Sequence, residues 1–165
     1  MSWEREKSPA SHMVLRLLGF SSSSSILLNK YFEVHKTKTE YIDFWISQAD
    51  DDWNAVDTLY KGKNYLQSLF FAHLVIEKLC KSLWIKYNTD NVPPRTHNLI
   101  HLISSIPIEL TDDKSELLLI LNRFQLEGRY PEYLTKMHKI CNKHFTKSTI
   151  NSTNELRLWL RGKLQ

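Results

Sequence analysis

Two apolar stripes dominate the pattern of hydrophobic and polar positions in this chain. Ile42, Trp45, Ala49, Trp53, Val56 and Tyr60 recur at steps of three and four. Leu66, Leu69, Phe70, His73, Ile76, Cys80, Leu83 and Tyr87 do the same. That period lays each set along one side of an α-helix. Only Lys61-Gly62-Lys63-Asn64 separates them, and so short a break forces the stripes to pack antiparallel. The spacing predicts a first helix over about 38–61, with Gly62 as its C-terminal cap, and a second over about 64–88.

Downstream the pattern predicts shorter elements. Pro93-Pro94 cannot continue a helix, so Asn88 to Pro94 reads as a loop. Thr96 is placed to cap a third helix through about Ser105, which Pro107 ends. Thr111, Asp112 and Asp113 open a fourth helix reaching about Glu127, with Leu117, Ile120, Leu121 and Phe124 as its stripe and Gly128 as its stop. A short helix follows Pro131 to about Asn142. A last one, from about Thr149 or Asn151 to Leu164, carries Leu156, Trp159 and Leu160. No strand-like alternation and no solenoid repeat appear. The expectation is an all-α, up-and-down helical bundle of about five to six helices over residues 37–165.

Residues 1–36 read differently. Ser21 to Ser25 form a five-serine run with no means of packing a core. Glu4 and Glu6 are wrong for a transit peptide, and Arg16 interrupts the apolar core a signal peptide needs. A loosely ordered extension is expected there.

The wording of the two long helices adds a second line of argument. Ala49-x-x-Asp52-x-x-Ala55 is followed by Gly62-x-x-Tyr65, then by Phe71-Ala72-x-x-x-x-Glu77-Lys78-x-x-Lys81. Thr96-His97-Asn98-Leu99 and Arg129-Tyr130-Pro131 come later. In order and spacing this resembles the HEPN family (higher eukaryotes and prokaryotes nucleotide-binding domain) over roughly residues 40 to 163. The resemblance implies a helical bundle, commonly a homodimer, tied to nucleotides or RNA. It also implies a neighbouring minimal nucleotidyltransferase as partner, in a toxin–antitoxin-like pair. Within it Glu77, Lys78 and His97 stand as structural motif residues, with His97 expected to tie its loop to the bundle.

Composition narrows the class. No apolar run approaches the ~20 residues of a membrane-spanning helix. Cys80 and Cys141 have no CxxC partner; Cys80 falls on the second stripe, so a buried reduced thiol and a cytoplasmic setting are expected. Charge is uneven. Residues 129–165 hold eight Lys/Arg against two Asp/Glu, a net +6, whereas residues 37–128 hold nine against thirteen, a net −4. A basic C-terminal third suits a polyanion-binding surface, and equally a solvated helix face.

Chemistry concentrates at Arg129-Tyr130-Pro131-Glu132-Tyr133. Arg can grip a phosphate bidentately and Tyr can stack on a base. Arg129, Tyr130, Lys136, Lys139 and Lys143 are therefore the candidate nucleotide- or RNA-binding residues. Active HEPN ribonucleases carry Arg, four to six residues, then His, a pair suited to charge stabilisation and proton transfer. Here eight residues separate Arg129 from His138, a departure that puts cleavage in doubt. If there is an endoribonuclease site, Arg129 and His138 are its catalytic candidates. Arg95 and His101 have five residues between them but lie at the third helix, where the spacing reads as chance. His97 and His101 are four apart, with no third ligand indicated, so no metal and no cofactor is expected. Asp43, Asp50 and Asp57 share a stripe that can serve as an acidic edge. Trp45, Trp53, Trp84 and Trp159 offer more aromatic surface than a small bundle needs inside, which favours a dimer. The competing reading is a dimeric interaction module without catalysis.

Overall fold

The structure, a computed structural model, describes residues 37–165. The extension expected over residues 1–36 lies outside the described residues. Six α-helices follow in order: α1 Lys38–Lys61, α2 Tyr65–Tyr87, α3 Leu99–Ser104, α4 Asp112–Leu126, α5 Pro131–Ile140 and α6 Lys143–Leu164. A 3-10 turn, Glu127–Arg129, joins α4 to α5. No strand occurs among the described residues, and the all-α bundle is the observed fold. No described helix is long and apolar enough to cross a membrane.

The second helix is the hub. It packs on α1, α3, α4, α5 and α6, and residues on every side of it are buried, among them Leu69, Val75, Ile76, Leu79, Leu83 and Ile85. Its stripe is therefore wider than the one periodicity marked. The other helices each supply one face to it: Ala49 and Val56 from α1, Leu118, Leu121 and Phe124 from α4, Leu156 and Leu160 from α6. Burial of so many large side chains, each contributing about 1.5–3 kcal/mol, stabilises the bundle.

The turn between α1 and α2 keeps Gly62 as the cap of α1 and places the left-handed residue one step later. Asn64 N–H donates to Leu59 O at 2.9 Å and Lys63 N–H to Tyr60 O at 3.0 Å, the two bonds of a Schellman ending. In that motif the left-handed residue is the one after the cap. It is Lys63, with φ 61°, and not Gly62.

Two other boundaries move. The N-cap of α3 is Asn98, whose side chain accepts from the N–H groups of Ile100 and His101 at 3.0 and 3.2 Å. Thr96 instead accepts from Asn98 N–H at 3.1 Å, one step before the helix. The last helix begins at Lys143, about two turns before the expected start, capped by Asn142 accepting from Phe145 N–H at 3.0 Å. Its buried face there is Thr146, Thr149 and Thr153. Thr149 and Thr153 bond back to the carbonyls of Phe145 and Thr149 at 2.9 and 2.7 Å, so polar residues pack as if apolar.

Candidate functional site

The interior holds a polar cluster built on α2. His73, Glu77 and Lys81 are spaced four apart, so all three share one side of the helix. Each is almost wholly buried. Glu77 Oε1 accepts from Lys81 Nζ at 2.7 Å. Glu77 Oε2 lies 3.0 Å from His97 Nδ1 and 3.3 Å from His73 Nε2. The His73 distance falls outside good hydrogen-bond geometry, and neither ring nitrogen of His73 has another partner among the described residues. Lys81 also sits 5.0 Å from the Trp45 ring centroid on α1. Burial pushes the Glu77 carboxyl up, but the polar contacts of His73, Lys81 and His97, with the Lys81 charge, outweigh it and bring its pKa to about 2.

Of the motif residues, Glu77 and Lys78 share one turn of α2, and His97 reaches Glu77 from outside it. His97 joins the loop before α3 to Glu77, and Lys78 pairs with Asp52 of α1. Because His97 precedes the Asn98 cap, it shares no helical face with His101. Among the described residues no group of three His, Cys, Asp or Glu is arranged to hold a metal. Both cysteines are buried and free. Burial pushes the Cys80 thiol up to about 12 and that of Cys141 to about 11.

The exposed chemistry gathers where α4 turns into α5. Pro131 occupies the first position of α5, where its missing N–H costs nothing. Arg123 Nε and Nη2 donate to the two oxygens of Glu127 at 2.8 and 3.2 Å, a fork across the end of α4. That hydrogen bonding lowers the Glu127 pKa, and the nearby Lys136 charge lowers it further. Beside the fork lies a groove of about 520 Å³ walled by Leu126, Tyr130 and Tyr133, with Glu127 and Glu132 at its edge. Tyr130 and Tyr133 are 51% and 46% exposed.

Each candidate residue has a definite place here. Lys136 lies one turn along α5 from Glu132 and Tyr133, on the side between them, and Lys139 follows one turn later. Lys143 opens α6. All three lysines are exposed, and none makes an ion pair with a carboxylate among the described residues. The Arg129 backbone closes the 3-10 turn; its side chain lies outside the described residues. His138 is exposed and stands about 10 Å along α5 from Pro131. The helix therefore carries His138 away from the turn that holds Arg129. Arg95 and His101 are both exposed, one before α3 and one on it.

Sequence reasoning missed three features. His73 was read as a stripe residue, though its spacing to Glu77 and Lys81 marks a buried polar row. The i, i+4 pair Arg123–Glu127 was legible as a surface ion pair. Leu126, off the stripe of Leu117, Leu121 and Phe124, signals an outward apolar residue at the groove. One expectation changes: Asp50 does not stand on a free acidic edge, since Arg161 and Arg157 of α6 reach it at 2.6 and 3.5 Å. Trp45, Trp53, Trp84 and Trp159 are half-buried, and Trp45, Trp53 and Trp159 each carry a cation on the ring.

Comparison with known proteins agrees with the all-α fold. A family model described as HEPN domain matches residues 42–163. The fold is similar to the crystal structure of an archaeal HEPN homologue, with a TM-score of 0.60 and 20% identity over 75% of this chain and 98% of that one. At that identity the likeness speaks for the fold alone. No curated protein matches the chain.

Proposed function

Since the chain belongs to the HEPN domain family, we propose that it binds nucleotide or RNA at the α4–α5 corner. The observation that carries this reading is the row of exposed Lys136, Lys139 and Lys143, none of them in an ion pair among the described residues, beside a groove with two exposed tyrosines. Free ammonium groups release counterions when they meet phosphates. Exposed rings at the same corner offer stacking faces to bases. Arg129 belongs to the same corner by its place in the chain. The reading assigns binding rather than cleavage, because the Arg129–His138 spacing departs from the family's ribonuclease motif and α5 lengthens the separation.

The family setting supplies the rest of the proposal. The protein acts in the cytoplasm as a homodimer with a nucleotidyltransferase partner, in a toxin–antitoxin-like module. Equilibrium binding of a labelled RNA tests the site. Lys136→Gln, Lys139→Gln and Lys143→Gln together should weaken binding at least tenfold, and unchanged affinity would refute the α5 site.

The alternative, a dimeric interaction module without catalysis, has its own observation. Leu119 and Leu126 are 57% and 60% exposed and lie seven residues apart, on one outward side of α4. An apolar pair leading to Tyr130 and Tyr133 suits a protein contact. Light scattering of wild type and Leu126→Lys separates the readings: under this alternative the variant loses its dimer while RNA affinity is negligible in both.

A further inference from the structure

The sides of α4 and α6 that face each other carry chemistry that the α5 corner does not use. Both helices pack on α2, and two contacts between them fix an antiparallel register. Phe124 of α4 meets Phe145 of α6 with ring centroids 6.3 Å apart, and Lys114 Nζ lies 5.5 Å from the Trp159 ring centroid. Equal rise along the two helices then sets Glu116 level with Glu155 and Ile120 level with Ser152. Between them opens a groove of about 450 Å³, about 10 Å long from Asp113 to Ile120 at the helical rise.

The floor of the groove is apolar. Leu117 and Leu156 are core residues, and Ile120 and Trp159 are half-buried beside them. Its walls are acidic. Glu116 and Glu155 are exposed, one on each helix, and neither makes an ion pair among the described residues. The cations at this place are engaged elsewhere. Lys114 lies 3.9 Å from Asp113 and reaches the Trp159 ring, and Lys163 lies 5.3 Å from the centroid of that same ring. Three carboxylates thus face one ammonium in the lining. Like charges on opposite walls repel, and a cation set between them relieves both.

The sign of this charge is opposite to its surroundings. Residues 129–165 carry a net +6 and the whole chain +4. A cationic partner is therefore repelled by the general field and attracted at the groove. An arginine suits the space between the walls. Its stem is apolar enough to cover Ile120 and Trp159, and its planar head has five donors for two carboxylates. The surface continues past each wall. Leu119 is 57% exposed three residues beyond Glu116, and Leu158 is 55% exposed three residues beyond Glu155. Apolar rim, carboxylate, apolar floor, carboxylate and apolar rim make a surface wider than a free amine covers.

We infer that the α4–α6 groove docks a basic amphipathic segment of a partner protein. The segment sets an arginine or lysine between Glu116 and Glu155 and lays apolar residues on Leu119 and Leu158. This surface is separate from the lysine row of α5 and stands whether or not that row binds RNA.

The probe is a labelled synthetic amphipathic helix whose apolar side is edged by arginines, titrated into the full chain and read by fluorescence anisotropy. A twin peptide carries glutamine for each arginine. Wild type should bind the arginine peptide and bind its twin at least tenfold more weakly. Glu116→Gln combined with Glu155→Gln should lower arginine-peptide affinity at least tenfold. RNA affinity should not fall in that variant, because removing anions does not weaken attraction for a polyanion. Ser152→Arg sets a cation in the groove from its own wall and should block the peptide as well. All three side chains are exposed, so the circular dichroism of both variants should match wild type. Absence of binding by wild type overturns the inference, as do equal affinity for the two peptides and an unchanged Glu116→Gln/Glu155→Gln variant. Displacement of the peptide by an equal concentration of free spermidine overturns it in favour of a small amine. A wild-type dimer that light scattering finds monomeric in the double variant overturns it in favour of a second copy. Failure of the α5 reading looks different: there the α5 triple variant keeps full RNA affinity, and the peptide results stand.

Discussion

Glu77 on α2 and His97 in the loop before α3 meet at 3.0 Å, so a buried carboxylate anchors a half-exposed loop. The same carboxylate holds Lys81, which is nearly as buried as its partner. Removing one charge from such a pair leaves the other uncompensated inside the bundle.

Glu77→Gln should therefore destabilise the fold by about 3 kcal/mol at neutral pH, read by denaturant unfolding. The pH dependence has a definite sign. The folded pKa of about 2 lies below the ordinary 4.5, so the contribution is present above pH 4.5 and is lost as pH falls toward 2. The gap between wild type and variant should narrow through that window. A gap that stays constant from pH 6 to pH 3 would show that Glu77 is not held as an anion.

Lys63 adopts φ 61° at the α1–α2 turn, a conformation that is strained for a residue with a Cβ. Lys63→Gly should raise stability by about 0.5 kcal/mol, because the relief of strain exceeds the added freedom of the unfolded chain. Gly62→Ala should cost less than its place beside the turn suggests, since Gly62 does not occupy the left-handed region. Thermal melting of both variants checks the assignment.

Thr146 Oγ1 is buried at the start of α6 with no hydrogen-bond partner among the described residues. Thr146→Val keeps the shape and removes an unsatisfied hydroxyl, so it should stabilise by about 1 kcal/mol. A loss of stability in the same denaturant measurement would mean that the hydroxyl has a partner in solution.

The bundle was legible in the sequence where apolar periodicity was strong. The bounds of α1 and α2 follow from Ile42 to Tyr60 and from Leu66 to Leu83 because those faces are almost wholly apolar. The start of α6 was hidden because its buried face is Thr146, Thr149 and Thr153, polar residues of which Thr149 and Thr153 bond within their own helix. The α3 cap was misplaced because Thr96 and Asn98 are both good caps, and only the chain path selects Asn98. The candidate corner was visible as Arg129 to Tyr133 with the lysines after it. The contacts between α1 and α6 were not: Asp50 lies more than one hundred residues from Arg157 and Arg161 in sequence, and only packing brings them together.

The central claim is that the lysines of α5 and the start of α6 meet phosphates. Its most direct measurement is the slope of log affinity for single-stranded RNA against log salt concentration, in wild type and in Lys136→Gln/Lys139→Gln/Lys143→Gln. Each phosphate contact contributes about 0.7 to the slope for a single strand. The account predicts a slope shallower by about 2 in the triple variant, together with weaker binding at low salt. Parallel lines of equal affinity for the two proteins would contradict it.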